Sequence, residues 1–373
     1  MTLYLGLMSG TSLDGIDGVL VDFGSPHGPP LSVRAHRHQP FDAALRAELA
    51  ALNAPGENEL HRSELAGSVL ARCYADVVHA LLRSSATAAS QVRTLGAHGQ
   101  TVRHRPCEFD GMGYTVQLLN GALLAELTGI DVVCDLRRRD VAAGGQGAPL
   151  APGLHAALFA AAGEARAVLN LGGIANLTLL GRAGAVLGFD CGPANALLDG
   201  WCQRHTGQAF DADGRWSQAG KVIESLLTAL LAEPFFALPP PKSTGRDLYN
   251  MAWLDDRLAR HAPAAAAVDV QATLLALTVR SIAQALHRHA AETSLLMVCG
   301  GGAFNSQLMG ALAAELPTLR MTTTAEFGLP VDQVEAAAFA WLALQFVERQ
   351  AGNIVAVTGA RGPRVLGVLH PAQ

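Results

Sequence analysis

The 373-residue sequence predicts an α/β protein of two similarly built units, each opening on a glycine-bearing hairpin. Two observations predict it. Residues 3–23 read as an apolar strand, a Gly/Ser/Thr/Asp turn and a returning apolar strand, and residues 167–180 read as a strand, Gly172-Gly173 and a returning strand. After each hairpin a third strand precedes alternating helix and strand patterns, so the architecture repeats about 160 residues along the chain although the literal sequences differ. At 50% hydrophobic and 16% charged, the chain has the composition of a globular protein able to bury two cores.

Taken in order, residues 3–8 and 19–23 are the strands of the first hairpin, and 31–38 is a third strand. Helical segments follow at 41–52 and 59–82, the second carrying Leu65, Val69, Tyr74, Val77, Val78 and Leu81 on roughly one face. A strand at 92–97 runs into His98-Gly99-Gln100-Thr101, a helix covers 118–127, and a short strand covers 131–134. The charge cluster Arg137-Arg138-Arg139-Asp140 leads into Gly144-Gly145-Gln146-Gly147 and a helix at 152–162. As a cluster it reads either as a solvated loop or as an anion site.

The pattern restarts with strands at 167–171, 175–180 and 186–190 and a helix at 194–205. A helix at 270–289, a strand at 295–299 ending in Gly300-Gly301-Gly302, a helix through 312, a strand at 319–323 and a helix at 334–347 complete the reading. Residues 1–163 form one expected domain and 164–373 the other, with a nucleotide expected in the cleft between them.

The turn from Gly10 to Asp17 suits a phosphate, because glycines let backbone N–H groups converge and Thr11 and Ser12 add hydroxyls. An ordinary Gly/Ser hairpin is the structural alternative. A net charge of −5 implies no basic surface for nucleic acid or an anionic membrane. No basic flank precedes the first apolar run, so no signal peptide is expected, and the charge-free stretch 141–163 is broken by glycines and prolines. Six cysteines stand without a CxxC pair, as expected for buried thiols of a soluble cytoplasmic protein. Pro241-Lys242-Ser243-Thr244 lacks the glycine frame of a P-loop, and Gly300-x-Gly302 lacks the third glycine of a dinucleotide fingerprint.

The two-hairpin arrangement resembles the actin, hexokinase and Hsp70 superfamily. Its words resemble one family there, the anhydro-N-acetylmuramic acid kinases. They are Gly6-Leu-Met-Ser-Gly-Thr-Ser-Leu-Asp-Gly15, His98-Gly-Gln-Thr101, the run from Arg137 to Pro149, Leu171-Gly-Gly173 and Gly188-Phe-Asp-Cys-Gly-Pro193. Pro241-Lys-Ser-Thr-Gly-Arg246, Cys299-Gly-Gly-Gly-Ala-Phe-Asn305, and Glu335 with Ala338-Phe-Ala-Trp-Leu-Ala343 complete the set across nearly the whole chain.

The resemblance implies a two-domain actin-like (duplicated ribonuclease H-like) fold and an ATP-dependent kinase. Such a kinase hydrolyses the 1,6-anhydro bridge of anhydro-N-acetylmuramic acid and phosphorylates O6, giving N-acetylmuramic acid 6-phosphate and ADP in peptidoglycan recycling. Asp190 falls on the family's catalytic aspartate, and Glu335 is implied to touch the sugar or the attacking water. A helix-capping Asp190 and a Glu335 that only complements a helix dipole are the structural readings of the same residues.

ATP phosphates are expected on Gly10, Thr11, Ser12, Leu13, Asp14, Gly15, Ile16 and Asp17, with Gly172 and Gly173 on the second side and Gly300, Gly301 and Gly302 near the adenosine. The lactyl carboxylate calls for cations, for which Arg137, Arg138, Arg139, Lys242 and Arg246 are candidates, with His98 as a polar sugar contact or a structural histidine. Mg2+ is expected with ATP. Met8-Ser-Gly-Thr11 and Asn170-Leu-Gly-Gly173 lack the superfamily acids, so no direct metal ligand is assigned. Gly192-Pro-Ala-Asn195 has alanine where the family usually has glycine. The resemblance also implies a homodimer. An ordinary sugar kinase acting on a free hydroxyl and a non-catalytic ATP-regulated protein are the alternatives, separated by the product.

Overall fold

The computed structural model describes residues 2–24, 31–245 and 247–373. The chain forms β1 Leu3–Met8, β2 Gly15–Asp22, β3 Ser32–Pro40, α1 Ala43–Ala51, α2 Glu59–Ser84, β4 Val92–Ala97, β5 Gln100–Pro106, β6 Gly113–Leu118, α3 Gly121–Thr128, β7 Val132–Cys134, α4 Arg138–Ala142 and α5 Ala151–Phe159. There follow β8 Arg166–Leu171, β9 Ile174–Leu180, β10 Val186–Pro193, α6 Asn195–Thr206, α7 Arg215–Gln218, α8 Glu224–Leu231, α9 Met251–His261, α10 Ala267–His289, β11 Leu295–Cys299, α11 Ser306–Glu315 and β12 Arg320–Thr323. The chain ends with α12 Val334–Val347, α13 Val355–Thr358 and β13 Val368–His370.

These elements fall into two compact units, one of Met1–Leu158 with Gln333–Gln373 and one of Phe159–Asp332. The sheet of the first runs β13-β7-β4-β1-β2-β3, and that of the second runs β10-β9-β8-β11-β12. In both, the first three strands are antiparallel neighbours, and the next two join in parallel beside the first strand. The same order and directions thus occur twice, which is the duplicated α/β arrangement expected of an actin-like nucleotide-binding fold.

In the first unit, register and periodicity assign the two sheet faces. Gly6 pairs with Val19, and Leu7 pairs with Gly18, so each pair lies on its own face. On the Leu7 face, α2 buries Leu70, Tyr74, Val77, Val78 and Leu81, whereas Leu65 and Val69, expected on the same face, are exposed because they lie off the stripe through 70, 74, 77 and 81. Its length and hydropathy are those of a membrane span, but it is the core helix of this sheet. On the Gly6 face lies α12, so close that a Cβ on Gly6 would stand 2.0 Å from the Ala336 carbonyl oxygen, and one on Gly96 would stand 2.0 Å from that of Phe339. An alanine-rich helix on a glycine-lined sheet lets the two backbones touch.

This packing differs from the expected boundary at 163/164. The last 41 residues return to the first unit, because α12 covers β1 and β4, and β13 pairs with β7. In the second unit α10 is the central helix, burying Leu274, Leu277, Ile282 and Leu286 against Leu169, Leu177 and Phe189 of the sheet.

Candidate active site

In the first unit, β1 and β2 end their pairing at Met8 and Asp17, leaving eight residues, 9–16, between the last paired positions. Leu13, at φ 58°, sends its side chain into the core with Leu45 and Leu49, and Ile16 is fully buried. These anchors leave Thr11, Ser12 and Asp14 exposed. Leu13 N–H donates to Gly10 O (3.2 Å), whereas among the described residues the N–H groups of Gly10, Thr11 and Ser12 have no acceptor. Three open N–H groups and two exposed hydroxyls in one loop are donors of the kind an anion takes up. Ser12 Oγ (2.8 Å) and Gly15 N–H (3.1 Å) both donate to Asp14 Oδ1, and Asp17 Oδ1 faces His38 (2.9 Å) and His36 (3.4 Å) on β3. Leu13 and Ile16 therefore offer a ligand only backbone.

The base of this loop is tied from below. Ser9 Oγ donates to Gly99 O (2.9 Å) and accepts from the Tyr74 hydroxyl (2.9 Å), while Gln100 Nε2 donates to Gly10 O (3.0 Å). His98 is 4% exposed, with both ring nitrogens engaged. Arg137 Nε donates to its Nε2 (3.0 Å), so the proton sits on Nδ1 and points at Ser9 O (3.2 Å). Burial, with Arg137 adding repulsion, holds the imidazole pKa well below its usual value, so it stays neutral. His98 is thus a buried tie between Arg137 and the hairpin, as in the structural reading of this residue, with both ring nitrogens taken up inside the protein.

Arg137 also donates from Nη1 to Gly147 O (2.8 Å), and burial lowers its pKa to about 10 against the opposing charges of Glu335 and Asp140. Glu335 is exposed in the first turn of α12, so its carboxylate and the Arg137 guanidinium belong to one electrostatic neighbourhood. Arg138, exposed, reaches Thr115 O (3.2 Å) and Asp135 (3.5 Å), and Arg139 is exposed.

Sequence reasoning missed the role of Asp140. Fully buried, it accepts from Gly147 N–H (2.8 Å), Asn353 Nδ2 (2.7 Å) and the Thr358 hydroxyl (2.8 Å), pinning the glycine loop to the C-terminal segment. The only signal was its place at the end of the arginine cluster.

In the second unit, the carbonyls of Gly172 and Gly173 accept the N–H groups of Asn195 (3.1 Å), Ala194 (3.0 Å) and Ala196 (3.0 Å) at the start of α6. Among the described residues the N–H groups of Gly172 and Gly173 have no backbone partner, so this turn also leaves two donors open. Gly300, at φ 84°, and Gly302 pack on it: their Cβ atoms would stand 2.4 Å from Asn170 Oδ1 and 2.7 Å from Leu171 Cβ. Asn195 Nδ2 closes the group on Leu171 O (3.0 Å). Gly300 and Gly302 therefore serve close packing, and of the three only Gly301 is exposed.

Asp190 lies at the irregularity of β10, where pairing to β9 shifts between Asp190 and Gly192. Segment 242–244 runs beside it: Asp190 N–H donates to Lys242 O (3.0 Å), and Thr244 N–H donates to Asp190 Oδ2 (2.8 Å). Among the described residues no donor reaches Oδ1. Burial pushes this carboxyl up to about 7, against the Thr244 N–H and the Lys242 charge, which both lower it. Such a group exchanges protons at neutral pH. It does not cap α6, whose N-cap residue is Ala194.

Lys242, expected as a sugar contact, has its ammonium held within the protein. Its ammonium donates to Phe235 O (3.0 Å) and Phe236 O (3.2 Å) and stands 4.6 Å from the centre of the Phe235 ring. Arg246 lies outside the described residues.

A family model described as anhydro-N-acetylmuramic acid kinase matches residues 2–372. A curated relative of that name from Variovorax paradoxus (strain S110) is 60% identical, over 99% of this chain and 99% of its own. Relatives of the same name are 58% identical in Bordetella petrii, over 99% of this chain and 96% of theirs, and 56% identical in Cupriavidus metallidurans, over 99% and 97%.

Proposed function

We infer, from the premise that the chain belongs to the anhydro-N-acetylmuramic acid kinase family, that it opens the 1,6-anhydro bridge of anhydro-N-acetylmuramic acid with water and transfers the ATP γ-phosphoryl group to O6. The products are N-acetylmuramic acid 6-phosphate and ADP. The observation that carries the mechanism is the Asp190 carboxylate, held by Thr244 at one oxygen and pushed up to about 7.

Asp190 takes a proton from water as the water oxygen bonds to C1. The C1–O6 bond breaks, O6 bonds to the γ-phosphorus, and the bond to the ADP oxygen breaks. The sugar gains one water and one phosphoryl group, and Asp190 returns its proton to solvent after turnover. Near neutral pH, a carboxylate with this pKa combines a populated basic form with useful proton affinity.

The phosphates are assigned to the open N–H groups of Gly10, Thr11 and Ser12 and of Gly172 and Gly173, with Gly301 as the exposed glycine near the adenosine. Arg137 and the exposed Arg138 and Arg139 are the cations assigned to the lactyl carboxylate, with Glu335 beside Arg137 contacting the sugar or the attacking water. Among the described residues no three His, Cys, Asp or Glu side chains cluster as a metal site. Mg2+ would be held mainly by phosphate oxygens and water, with Asp14, Asp17 or Asp190 helping through a water, and would offset phosphate charge when bound. Cytoplasmic location, a homodimer and a place in peptidoglycan recycling follow from the family resemblance as parts of the same proposal.

The test is ADP release by purified protein with Mg-ATP. ADP should form at a rate that saturates with the anhydro sugar and should stay at background without it. Sugar-independent hydrolysis, or no turnover with the sugar, overturns the proposal.

A further inference from the structure

We propose that Lys242 is a positioning residue for the Asp190 carboxylate and not a ligand of the sugar. The proposal rests on the reading of Asp190 as the base.

The geometry comes from both ends of the lysine. Its backbone lies against Asp190, whose N–H donates to Lys242 O (3.0 Å), and two residues on, Thr244 N–H holds Asp190 Oδ2 (2.8 Å). Its side chain turns away and fastens the segment to the Phe235–Phe236 turn through both carbonyls, at 3.0 and 3.2 Å. Arg288 of α10 donates to the same Phe236 carbonyl (2.9 Å), so two cations hold that turn. The turn in turn supports the irregular stretch after Asp190. Gly192 has φ 146°, and a Cβ there would stand 2.5 Å from the Phe236 ring.

Lys242, Phe236 and Gly192 thus form one packed path from α10 to the strand that carries the carboxylate. A sugar has no room at the ammonium. The cavity beside it, lined by Cys191, Phe236, Lys242, Ser281, Arg288 and His289 among others, measures only ≈ 10 Å³, about one water.

Among the described residues, the titratable and charged groups facing this assembly are few. Cys191 follows Asp190 on β10, and burial raises its thiol pKa, leaving it neutral. Arg288 and His289 of α10 face Lys242 rather than Asp190, and burial depresses the His289 pKa. Among the described residues, Lys242 is the cation that acts on the carboxyl, and its charge favours the ionised form. It has a mechanical role through the two carbonyls and an electrostatic one through its charge, and different substitutions separate them.

The experiment is the pH profile of kcat/KM, with sugar binding measured alongside, for Lys242→Gln, Lys242→Met and Lys242→Arg. Glutamine keeps an N–H donor for the Phe235 carbonyl but loses the charge. Its acid limb should move upward by about half a unit, roughly a threefold lower kcat/KM at pH 6, with the sugar Kd changed less than twofold. Methionine loses donor and charge, and its kcat should fall on the order of tenfold or more even on the alkaline plateau. Arginine should restore the limb toward that of wild type.

A Lys242→Gln limb that coincides with wild type, together with a sugar Kd weakened on the order of tenfold, makes Lys242 a sugar ligand and overturns the proposal. An unmoved limb with unchanged Kd overturns it as well. The absence of any limb near pH 7 in the wild-type protein would instead overturn Asp190 as the base. If Lys242→Met does not fold, the glutamine and arginine profiles decide alone.

Discussion

Replacing Asp190 by asparagine should make the protein more stable and nearly inactive. The amide keeps an oxygen to accept the Thr244 N–H (2.8 Å in the native protein), so the local geometry survives. The side chain loses its basicity, for which the expected cost is about 10²–10⁴ in kcat. The stability gain follows from linkage. Asp190 titrates at about 7 in the folded chain against 3.8 for the ordinary carboxyl. A raised carboxyl pKa means that the folded state binds the proton more tightly. Its contribution is therefore fully present below about pH 4, shrinks by about 1.4 kcal/mol per unit between pH 4 and 7, and is gone above 7.

Above pH 7 the charged carboxylate then costs the fold at most about 4 kcal/mol, a penalty that asparagine removes. A gain of about 2–4 kcal/mol corresponds to several degrees in Tm. The assay is thermal unfolding of both proteins at pH 8 and pH 4, beside the turnover rate. The variant should melt higher at pH 8 and alike at pH 4. A lower Tm at pH 8 would refute the claim that burial raises this group, and near-normal turnover would refute its role as base.

Other outcomes test the scaffold around the site. Gly6→Ala puts a methyl group 2.0 Å from the Ala336 carbonyl; urea unfolding should show a loss of roughly 3 kcal/mol, and an unchanged midpoint would mean that α12 does not rest on β1. Asp140→Ala strands the donors on Gly147, Asn353 and Thr358; a loss of roughly 3–5 kcal/mol in the same assay is expected, and one under 1 kcal/mol refutes the tie. The buried histidines should make the fold acid-sensitive. His98, His104 (about 4) and His155 (about 3) have depressed pKa values, so their stability is present above about 6.5 and lost as pH falls. From pH 6.5 to 5.5 they cost roughly 3 kcal/mol in sum, partly offset by Asp190, so Asp190→Asn should show the steeper acid loss. NMR of the imidazoles should find His98 neutral at pH 5.5, and a His98 signal titrating near 6.5 would contradict the Arg137–His98–Ser9 chain.

The hairpins and central strands were legible because buried strands such as β1, β8 and β11 are nearly continuous apolar runs bounded by glycines. The β5–β6 hairpin was missed: Arg103, His104 and Arg105 break the apolar alternation that marks a strand. The helices between residues 215 and 261 were also missed, because α7, α8 and α9 are only four, eight and eleven residues long, short for a helical period to show. The return of α12 to the first unit could not be read from order along the chain, since it depends on Gly6 and Gly96 meeting Ala336 and Phe339. Resemblance pointed to Asp190, but its raised pKa comes from burial, and the segment 242–244 that holds it lies more than fifty residues away. His98 and Lys242 show the limit of residue type as a guide. Both are polar residues in family words, and both spend their polar atoms inside the protein.

The mass of the sugar product, made by purified protein from Mg-ATP and anhydro-N-acetylmuramic acid, tests the proposed reaction most directly. A product heavier by one phosphoryl group and one water is the predicted result, because water must open the bridge as O6 takes the phosphoryl group. A product heavier by the phosphoryl group alone would contradict it, since the bridge would then be intact and Asp190 would have no water to activate.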